Sequence, residues 1–158
     1  MTAVPAYQIA DDIWSLMRPL LDLLLAAPRS PRAPGKVPAV PGIYLFSVGQ
    51  RYRYVGQTRN LRARLGQHTH PSGTHYSATL AFLMAVERAK EPGVPTGGRT
   101  RAALQKDPGF AAHFTHAKKE VASWDVQFIE VDDPLARTIF EIYVHVALAT
   151  DLNSFETH

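Results

Sequence analysis

Residues 40 to 68 read VPGIYLFSVGQRYRYVGQTRNLRARLGQH, and this stretch predicts two strands followed by a helix. The segments Gly42 to Val48 and Arg51 to Val55 are rich in β-branched and aromatic residues, which favour strands. Between them, Gly49 supplies the positive φ that a tight hairpin turn requires. After the second strand, Thr58 is a candidate N-cap for the helix.

The length of the turn decides which side chains share a face of this hairpin. With a two-residue loop, Tyr44 and Tyr54 would point to opposite faces of the sheet. A three-residue loop from Val48 to Gln50 places Tyr44 directly opposite Tyr54 on one face. We predict the three-residue loop, because it brings the two phenols together.

The helix that follows carries a polar stripe and an apolar one. Asn60, Arg64 and His68 are spaced four residues apart, so they share one side of the helix. Leu61 and Leu65 form a neighbouring apolar stripe that can pack on the sheet. The stretch as a whole therefore presents two phenols, a guanidinium and an imidazole close together.

The rest of the chain predicts helices and a third strand. Trp124 to Val131 alternates and is rich in β-formers, so we expect it to be that strand. Asp132 or Asp133 then caps a helix that has Pro134 in its first turn. The predicted helices run over Gln8–Ala27 with a kink at Pro19, Tyr76–Lys90, Arg99–Glu120 with a break near Pro108, and from Pro134 to about Ala149.

These elements predict an α+β fold, in which a small antiparallel three-stranded sheet is flanked by helices and an extra N-terminal helix. Residues 1 to 37 are expected to form that helix and a proline-rich linker, and residues 38 to 158 the main domain. The extra helix either covers the sheet or makes a dimer contact, and the first alternative is favoured because the helix has a wide apolar face.

Composition excludes several classes of protein. With 158 residues, 46% hydrophobic and 20% charged, the chain has the composition of an ordinary globular domain. It contains no cysteine, which excludes disulfides and thiolate metal sites. No apolar run is long enough for a transmembrane helix and no secretory signal is visible, so a cytoplasmic protein without a membrane partner is expected.

The net charge of +3 conceals a strongly basic middle. Between Arg29 and Lys119 the chain has 15 Lys or Arg against three acidic residues, a surplus of 12. A surface that binds phosphates needs such a surplus. A solvated basic surface without a partner has the same composition, so charge alone leaves both possibilities open.

Two motifs in the opening stretch resemble a known family. Gly42-Ile43-Tyr44 followed by Tyr54-Val55-Gly56 resembles the GIY-YIG nuclease signature, with Val in place of the middle Ile. Asn60-Leu61 and Arg64 are similar to the "NL..R" helix of that family. Farther along, Glu141 lies in a predicted helix, and it resembles the metal-binding Glu of the family.

The resemblance extends to Asn153, twelve residues after Glu141, where the family has a trailing Asn. It spans about residues 38 to 153, which is most of the chain. It implies a GIY-YIG nuclease-like domain, that is, an endonuclease that hydrolyses DNA phosphodiester bonds with Mg²⁺ or Mn²⁺.

The resemblance also implies a role for each candidate catalytic residue. Glu141 would bind the metal, in the way that Mg²⁺ is held by few carboxylates and several waters. Arg64 and Tyr54 would hold the scissile phosphate. Tyr44, or His68 through a water, would remove a proton from the nucleophile, and no covalent intermediate is expected.

The expected partner is DNA, either duplex or branched. The chain has no recognisable second DNA-reading domain, so structure-specific cutting or targeting by a protein partner is expected. Its oligomeric state is left open. The residues that we expect to contact DNA are Arg53, Arg59, Asn60, Arg62 and Asn153.

Other interpretations use the same residues. Arg137 lies one turn before Glu141 and could form a salt bridge with it. Tyr44 and Tyr54 could be ordinary core aromatics. Gln57 stands where many members of the family have Lys, which leaves one phosphate contact in doubt. The second candidate function is therefore a nucleic-acid-binding module on the same fold, with little or no catalysis.

Overall fold

Seven helices and four strands make up the described part of the chain, which in this computed structural model comprises residues 6–31, 37–93 and 95–154. None of these helices is long and apolar enough to cross a membrane. The elements are α1 (Ala6–Ser15), α2 (Met17–Ala26), β1 (Ser30–Pro31), β2 (Gly42–Val48), β3 (Arg51–Thr58), α3 (Leu61–Thr69), α4 (Thr79–Lys90), α5 (Arg101–Lys106), α6 (Pro108–Ser123), β4 (Asp125–Glu130) and α7 (Pro134–Leu148).

The strands form one antiparallel sheet in the order β1-β4-β2-β3. The predicted α+β class is therefore confirmed, whereas the predicted count of three strands is wrong. The additional strand β1 has two residues, Ser30 and Pro31, and lies on the outer side of β4. A proline is compatible with this place, because an edge strand can do without one backbone donor.

The chain divides into two compact units. Unit 1 comprises residues 1–30, 38–61 and 125–158, and unit 2 comprises residues 31–37 and 62–124. By sequence, unit 1 has six Lys or Arg against ten Asp or Glu, whereas unit 2 has 11 against four. Eleven of the 15 basic residues in the middle of the sequence therefore belong to unit 2.

The core of unit 1 lies between one face of the sheet and the helices α2 and α7. Apolar side chains of β2 and β3 are buried there against both helices, and each contributes about 1.5–3 kcal/mol. The N-terminal helical segment thus covers the sheet, as favoured from its apolar face. The buried residues include Met17, Leu21, Leu24, Ile43, Leu45, Val55, Phe140 and Val144.

The predicted N-terminal helix consists of two helices, which are separated at Leu16. The break lies three residues before Pro19, where we expected the kink. Pro19 has no N–H to bond the Ser15 carbonyl, and its ring clashes with that carbonyl in a continuous helix. Ending α1 at Ser15 places Pro19 in the first turn of α2, where a missing N–H has no cost.

The turn between β2 and β3 has two residues, so the predicted three-residue loop is wrong. Val48 pairs with Arg51, and Gly49 and Gln50 form the turn. Gly49 has φ 55°, a conformation that glycine adopts without strain. One residue with positive φ is thus sufficient to close the hairpin here.

A β-bulge in β3 compensates for the shorter turn. Ser47 pairs with Tyr52, whereas Phe46 pairs with Tyr54, so that Arg53 is an extra residue. One extra residue reverses the alternation of side chains beyond it. The bulge therefore gives β3 the side-chain orientation that a three-residue loop would have given.

As a result, Tyr44 and Tyr54 lie on the same face, as predicted, but not directly opposite each other. Tyr44 is opposite Gly56, and the centroids of the two tyrosine rings are 6.3 Å apart. A Cβ atom on Gly56 would lie 2.3 Å from the Tyr44 hydroxyl oxygen. The absence of a side chain at Gly56 is what allows the Tyr44 ring to cross onto β3.

Several helix boundaries differ from the predicted ones. Helix α3 begins at Leu61, so the N-cap position belongs to Asn60 and not to Thr58, which is the last residue of β3. The Thr58 hydroxyl accepts a hydrogen bond from the Asn60 N–H at 3.0 Å. Helix α4 begins at Thr79, so Tyr76 lies in the preceding loop.

The start of α7 agrees with the prediction. Asp133 is its N-cap and accepts a hydrogen bond from the Ala136 N–H at 2.6 Å, with Pro134 in the first turn. The predicted break near Pro108 is also confirmed, because α5 ends at Lys106 and α6 begins at Pro108.

We expect Gly56→Ala to destabilise the protein by about 1–3 kcal/mol, the usual cost of overpacking. The added methyl group would meet the Tyr44 ring, which is 1% exposed and cannot swing aside. Urea unfolding measures the change. Gly66→Ala is the matched control, because a Cβ there meets nothing within 4 Å, and a helical Gly→Ala change is neutral or stabilising. Equal unfolding midpoints for Gly56→Ala and the wild type would contradict the packing described.

Candidate active site

The outer edge of β3 is covered by the segment that follows α7. The Leu152 N–H donates a hydrogen bond to the Arg53 carbonyl at 3.0 Å. The Asn153 side chain bonds both backbone groups of Val55, accepting from its N–H at 2.9 Å and donating to its carbonyl at 2.7 Å. Asn153 therefore replaces a neighbouring strand at this position, and a DNA contact by its amide would require these bonds to break.

Two further side chains orient Asn153. The Thr150 hydroxyl donates to Asn153 Oδ1 at 2.8 Å, and His145 Nδ1 lies 2.8 Å from the same hydroxyl. The chain turns out of α7 at Ala149, which has a left-handed conformation with φ 50°. This turn brings residues 150–153 back along β3.

Glu141 lies at the same edge, next to the covered part. Gln57 Nε2 donates a hydrogen bond to Glu141 Oε2 at 2.9 Å and also approaches the Thr138 hydroxyl at 3.3 Å. Gln57 directly follows Gly56, over which the Tyr44 phenol lies. The Glu141 carboxylate and the Tyr44 hydroxyl therefore reach adjacent residues of β3.

The two groups approach β3 from opposite faces of the sheet. Val55 points into the core beside α7, and Gln57 has the same orientation two residues later. Tyr44 and Tyr54 lie on the other face. A ligand that contacts both the carboxylate and a phenol must therefore lie across the outer edge of β3, beyond the residues that Asn153 covers.

The salt bridge between Arg137 and Glu141 that the sequence allows does not form. Arg137 is buried, and its Nη1 donates to the carbonyls of Val131 at 2.9 Å and Asp132 at 3.2 Å. These carbonyls lie just before α7, so Arg137 ties β4 to the start of the helix. Within the described part of the chain, Glu141 has no Lys or Arg in salt-bridge contact.

Burial raises the pKa of Glu141, and the hydrogen bond from Gln57 offsets part of this increase. A carboxylate that is partly desolvated and lacks a basic partner gains most from a bound cation. Mg²⁺ is commonly held by one or two carboxylates and several waters. Among the described residues, no group of three or more His, Asp or Glu side chains could hold a metal ion.

In unit 2, His68 is buried and Arg64 lies one turn before it on α3. Burial first, and the Arg64 charge second, lower the pKa of His68 to about 3. His68 is therefore neutral at physiological pH and is a weak base. Arg64 Nη1 donates to the Ser77 carbonyl at 3.2 Å and approaches Gln67 Oε1 at 3.4 Å.

The basic residues that we expect to contact DNA have different environments. Arg53 forms an ion pair with Asp151 at 3.1 Å. Arg62 Nε donates to the Val37 carbonyl at 2.8 Å, although most of its side chain is exposed. Arg59 is exposed on the loop before α3, and Asn60 beside it is half-buried. These DNA contacts stay predictions.

The sequence did not reveal two of the groups that shape this edge. Gln57 stood out only as a departure from the family pattern, yet it bonds the Glu141 carboxylate. Thr150 and His145 carried no signal, because their role depends on the turn after α7. An αL residue at a helix end is hard to anticipate when it is alanine rather than glycine.

Comparison of the chain with known protein families, with curated proteins and with solved structures finds no match. The similarity to the GIY-YIG nucleases thus rests on the motif residues themselves.

We expect Glu141→Gln to raise the melting temperature at about pH 8 in the absence of divalent metal. The raised pKa means that the charged carboxylate is less favourable in the folded chain, and the amide removes this penalty. The increase in melting temperature should shrink as the pH falls, and it should be lost below pH 4.5, the pKa of this carboxyl group in the unfolded chain. Thermal unfolding of both proteins across this pH range tests the prediction. An increase in melting temperature that does not depend on pH would contradict it.

We expect the folded state to lose stability as the pH falls below 6.5, because His68 is protonated in the unfolded chain and neutral in the folded one. The loss continues toward the folded pKa of about 3. His68→Gln should show a smaller difference in unfolding free energy between about pH 7 and about pH 5. His116→Gln, at an exposed position, serves as the control and should behave as the wild type.

Proposed function

We propose that the chain is a divalent-metal-dependent endonuclease of the GIY-YIG type, which hydrolyses phosphodiester bonds in DNA. The observation that carries the proposal is the environment of Glu141. This carboxylate is half-buried, its pKa is raised, and it accepts a hydrogen bond from Gln57, the residue after the glycine over which the Tyr44 phenol lies. Such an arrangement is typical of a functional site rather than of a stabilising ion pair.

In this proposal Glu141 holds Mg²⁺ or Mn²⁺, which supplies charge stabilisation for the phosphate and the leaving oxygen. Gln57 fixes the orientation of the Glu141 carboxylate through its hydrogen bond. Tyr44, rather than His68, accepts the proton of the attacking water. An imidazole whose pKa is about 3 takes up a proton poorly at neutral pH, which disfavours His68 as the base.

The resemblance assigns the grip on the phosphate to Arg64 and Tyr54. The positive surplus of unit 2, 11 basic against four acidic residues, suits the binding of a phosphate backbone. Duplex and branched DNA are both candidate substrates, and a protein partner for targeting is compatible with either.

The second candidate is a nucleic-acid-binding module with little or no catalysis. Two observations favour it. Tyr44 is 1% exposed, and Gln57 already occupies one oxygen of the Glu141 carboxylate. A protein with this arrangement would bind DNA through unit 2 and would not activate a water molecule for hydrolysis.

A plasmid cleavage assay with and without Mg²⁺ or Mn²⁺ distinguishes these functions. We expect metal-dependent nicking or linearisation by the wild type. Glu141→Gln should reduce cleavage to background, and Tyr44→Phe should reduce it by about a hundredfold or more, the usual contribution of a general base. Both variants should bind DNA as the wild type does in EDTA.

Glu130→Gln is the matched control, since Glu130 is an exposed carboxylate at the end of β4 in the same unit. It should cleave as the wild type does. Salt-dependent binding without cleavage at any protein concentration would instead identify the binding module. Cleavage by Glu141→Gln at the wild-type rate would exclude this carboxylate as the metal ligand.

A further inference from the structure

The loop between α3 and α4 is held in place by side chains from three other parts of unit 2. On one side, Lys118 of α6 donates to the carbonyls of Pro71 at 2.6 Å and Gly73 at 3.2 Å. The ammonium of Lys118 also lies 4.7 Å from the centre of the Phe114 ring, which orients it. The first half of the loop is therefore fixed to α6.

The second half of the loop is fixed to α5 and α3. Gln105 Oε1 accepts a hydrogen bond from the His75 N–H at 3.0 Å and also faces the His75 ring. Arg64 donates to the Ser77 carbonyl at 3.2 Å. Within the loop, the Thr74 N–H donates to the Ser77 hydroxyl at 2.8 Å. These bonds specify one backbone conformation for the residues around Tyr76.

Tyr76 is 77% exposed, although its backbone is fixed. Its ring centroid lies 4.0 Å from that of His75, which is 8% exposed. The His75 ring in turn lies beside Phe82, which contacts Phe110 at 5.1 Å in the core of unit 2. Tyr76 is thus an aromatic ring backed by the core on one side and open to solvent on the other.

The surroundings of Tyr76 are polar, and the unit that carries it has a basic surplus. Ser77, the next residue, lines a cavity of about 300 Å³ whose other walls include Gln67, His70 and Ser72. The unit itself carries 11 basic and four acidic residues. An exposed ring on a unit with a positive surplus provides the two features with which proteins bind unpaired nucleotides, because each base can stack on the ring while cations attract the phosphates.

We propose that Tyr76 is a stacking platform for an unpaired nucleobase, so that the protein acts on DNA with a flap, fork or single-stranded segment. This inference rests on the proposed function, because it specifies the substrate of that nuclease. A base within a duplex is already stacked on both faces, whereas an unpaired base can offer a face to Tyr76. The hydroxyl, amide and imidazole groups of the adjacent cavity can bond the sugar-phosphate of the same nucleotide.

The test is a binding measurement in EDTA, where no metal-dependent cleavage occurs. Fluorescein-labelled single-stranded, flapped and fully paired DNA oligonucleotides are titrated with protein, and anisotropy is recorded. We expect Tyr76→Ala to weaken binding of the single-stranded and flapped DNA by about tenfold. Binding of the duplex should stay within about twofold of the wild type, since its bases do not stack on the ring.

A 2-aminopurine base in the unpaired segment provides a direct readout of stacking. The wild type and Tyr76→Trp should quench its fluorescence, and Tyr76→Ala should not. Leu83→Ala is the control, because Leu83 is another partly exposed apolar residue of unit 2, at 38%. It should bind and quench as the wild type does.

Two results would overturn the inference: an equal loss of affinity for duplex and unpaired DNA in Tyr76→Ala, or no loss for either. The test of the stacking platform can fail or succeed independently of the test of the nuclease. A wild type that binds unpaired DNA through Tyr76 but never cleaves it would contradict the nuclease and not the platform. Cleavage of plasmid by Tyr76→Ala with unchanged binding of flapped DNA would contradict the platform and not the nuclease.

Discussion

The close approach of the Tyr44 ring to Gly56 is the constraint on which the candidate site depends. A Cβ at Gly56 would lie 2.3 Å from the tyrosine oxygen, so no other residue fits there without displacing the ring. Two residues before Tyr44 on β2, a Cβ at Gly42 would lie 2.3 Å from the Ile129 carbonyl oxygen and 2.7 Å from Leu61. The two glycines that define the family-like motif are therefore required by packing.

At the outer edge of β3 lie both the side chain that satisfies its backbone groups and the candidate metal ligand. An exposed strand edge leaves backbone groups without partners, and Asn153 satisfies those of Val55 with its side-chain amide. Farther along the same edge, Glu141 of α7 accepts a hydrogen bond from Gln57, and burial raises the pKa of its carboxyl group. Stability alone would favour an amide at this position. A charged carboxyl group whose pKa is raised by burial is unfavourable for stability, and such groups are common at functional sites.

The charges are divided unevenly between the two units. Unit 1 carries ten acidic against six basic residues and contains Glu141 together with both candidate tyrosines. Unit 2 carries the basic surplus and presents Tyr76 on a loop fixed by Lys118, Gln105 and Arg64. The proposed metal ligand and the proposed base-stacking ring lie in different units, so each proposal can be tested by a separate substitution.

Sequence by itself determined the features that depend on neighbouring residues. The strands on either side of Gly49, the break near Pro108, and the start of α7 at Asp133 all follow from local propensity and capping. It also placed Tyr44 and Tyr54 on one face, although through a loop that does not occur. The correct face resulted from a bulge, which propensity does not reveal.

Tertiary structure alone decided how the candidate residues are partnered. Gln57 and Glu141 are 84 residues apart, and Val55 and Asn153 are 98 apart, so no local pattern connects them. Arg137 is one helical turn from Glu141 and yet bonds two carbonyls, because burial of a guanidinium requires the nearest available acceptors. Such choices depend on which polar groups long-range packing removes from water, and a linear sequence does not specify that.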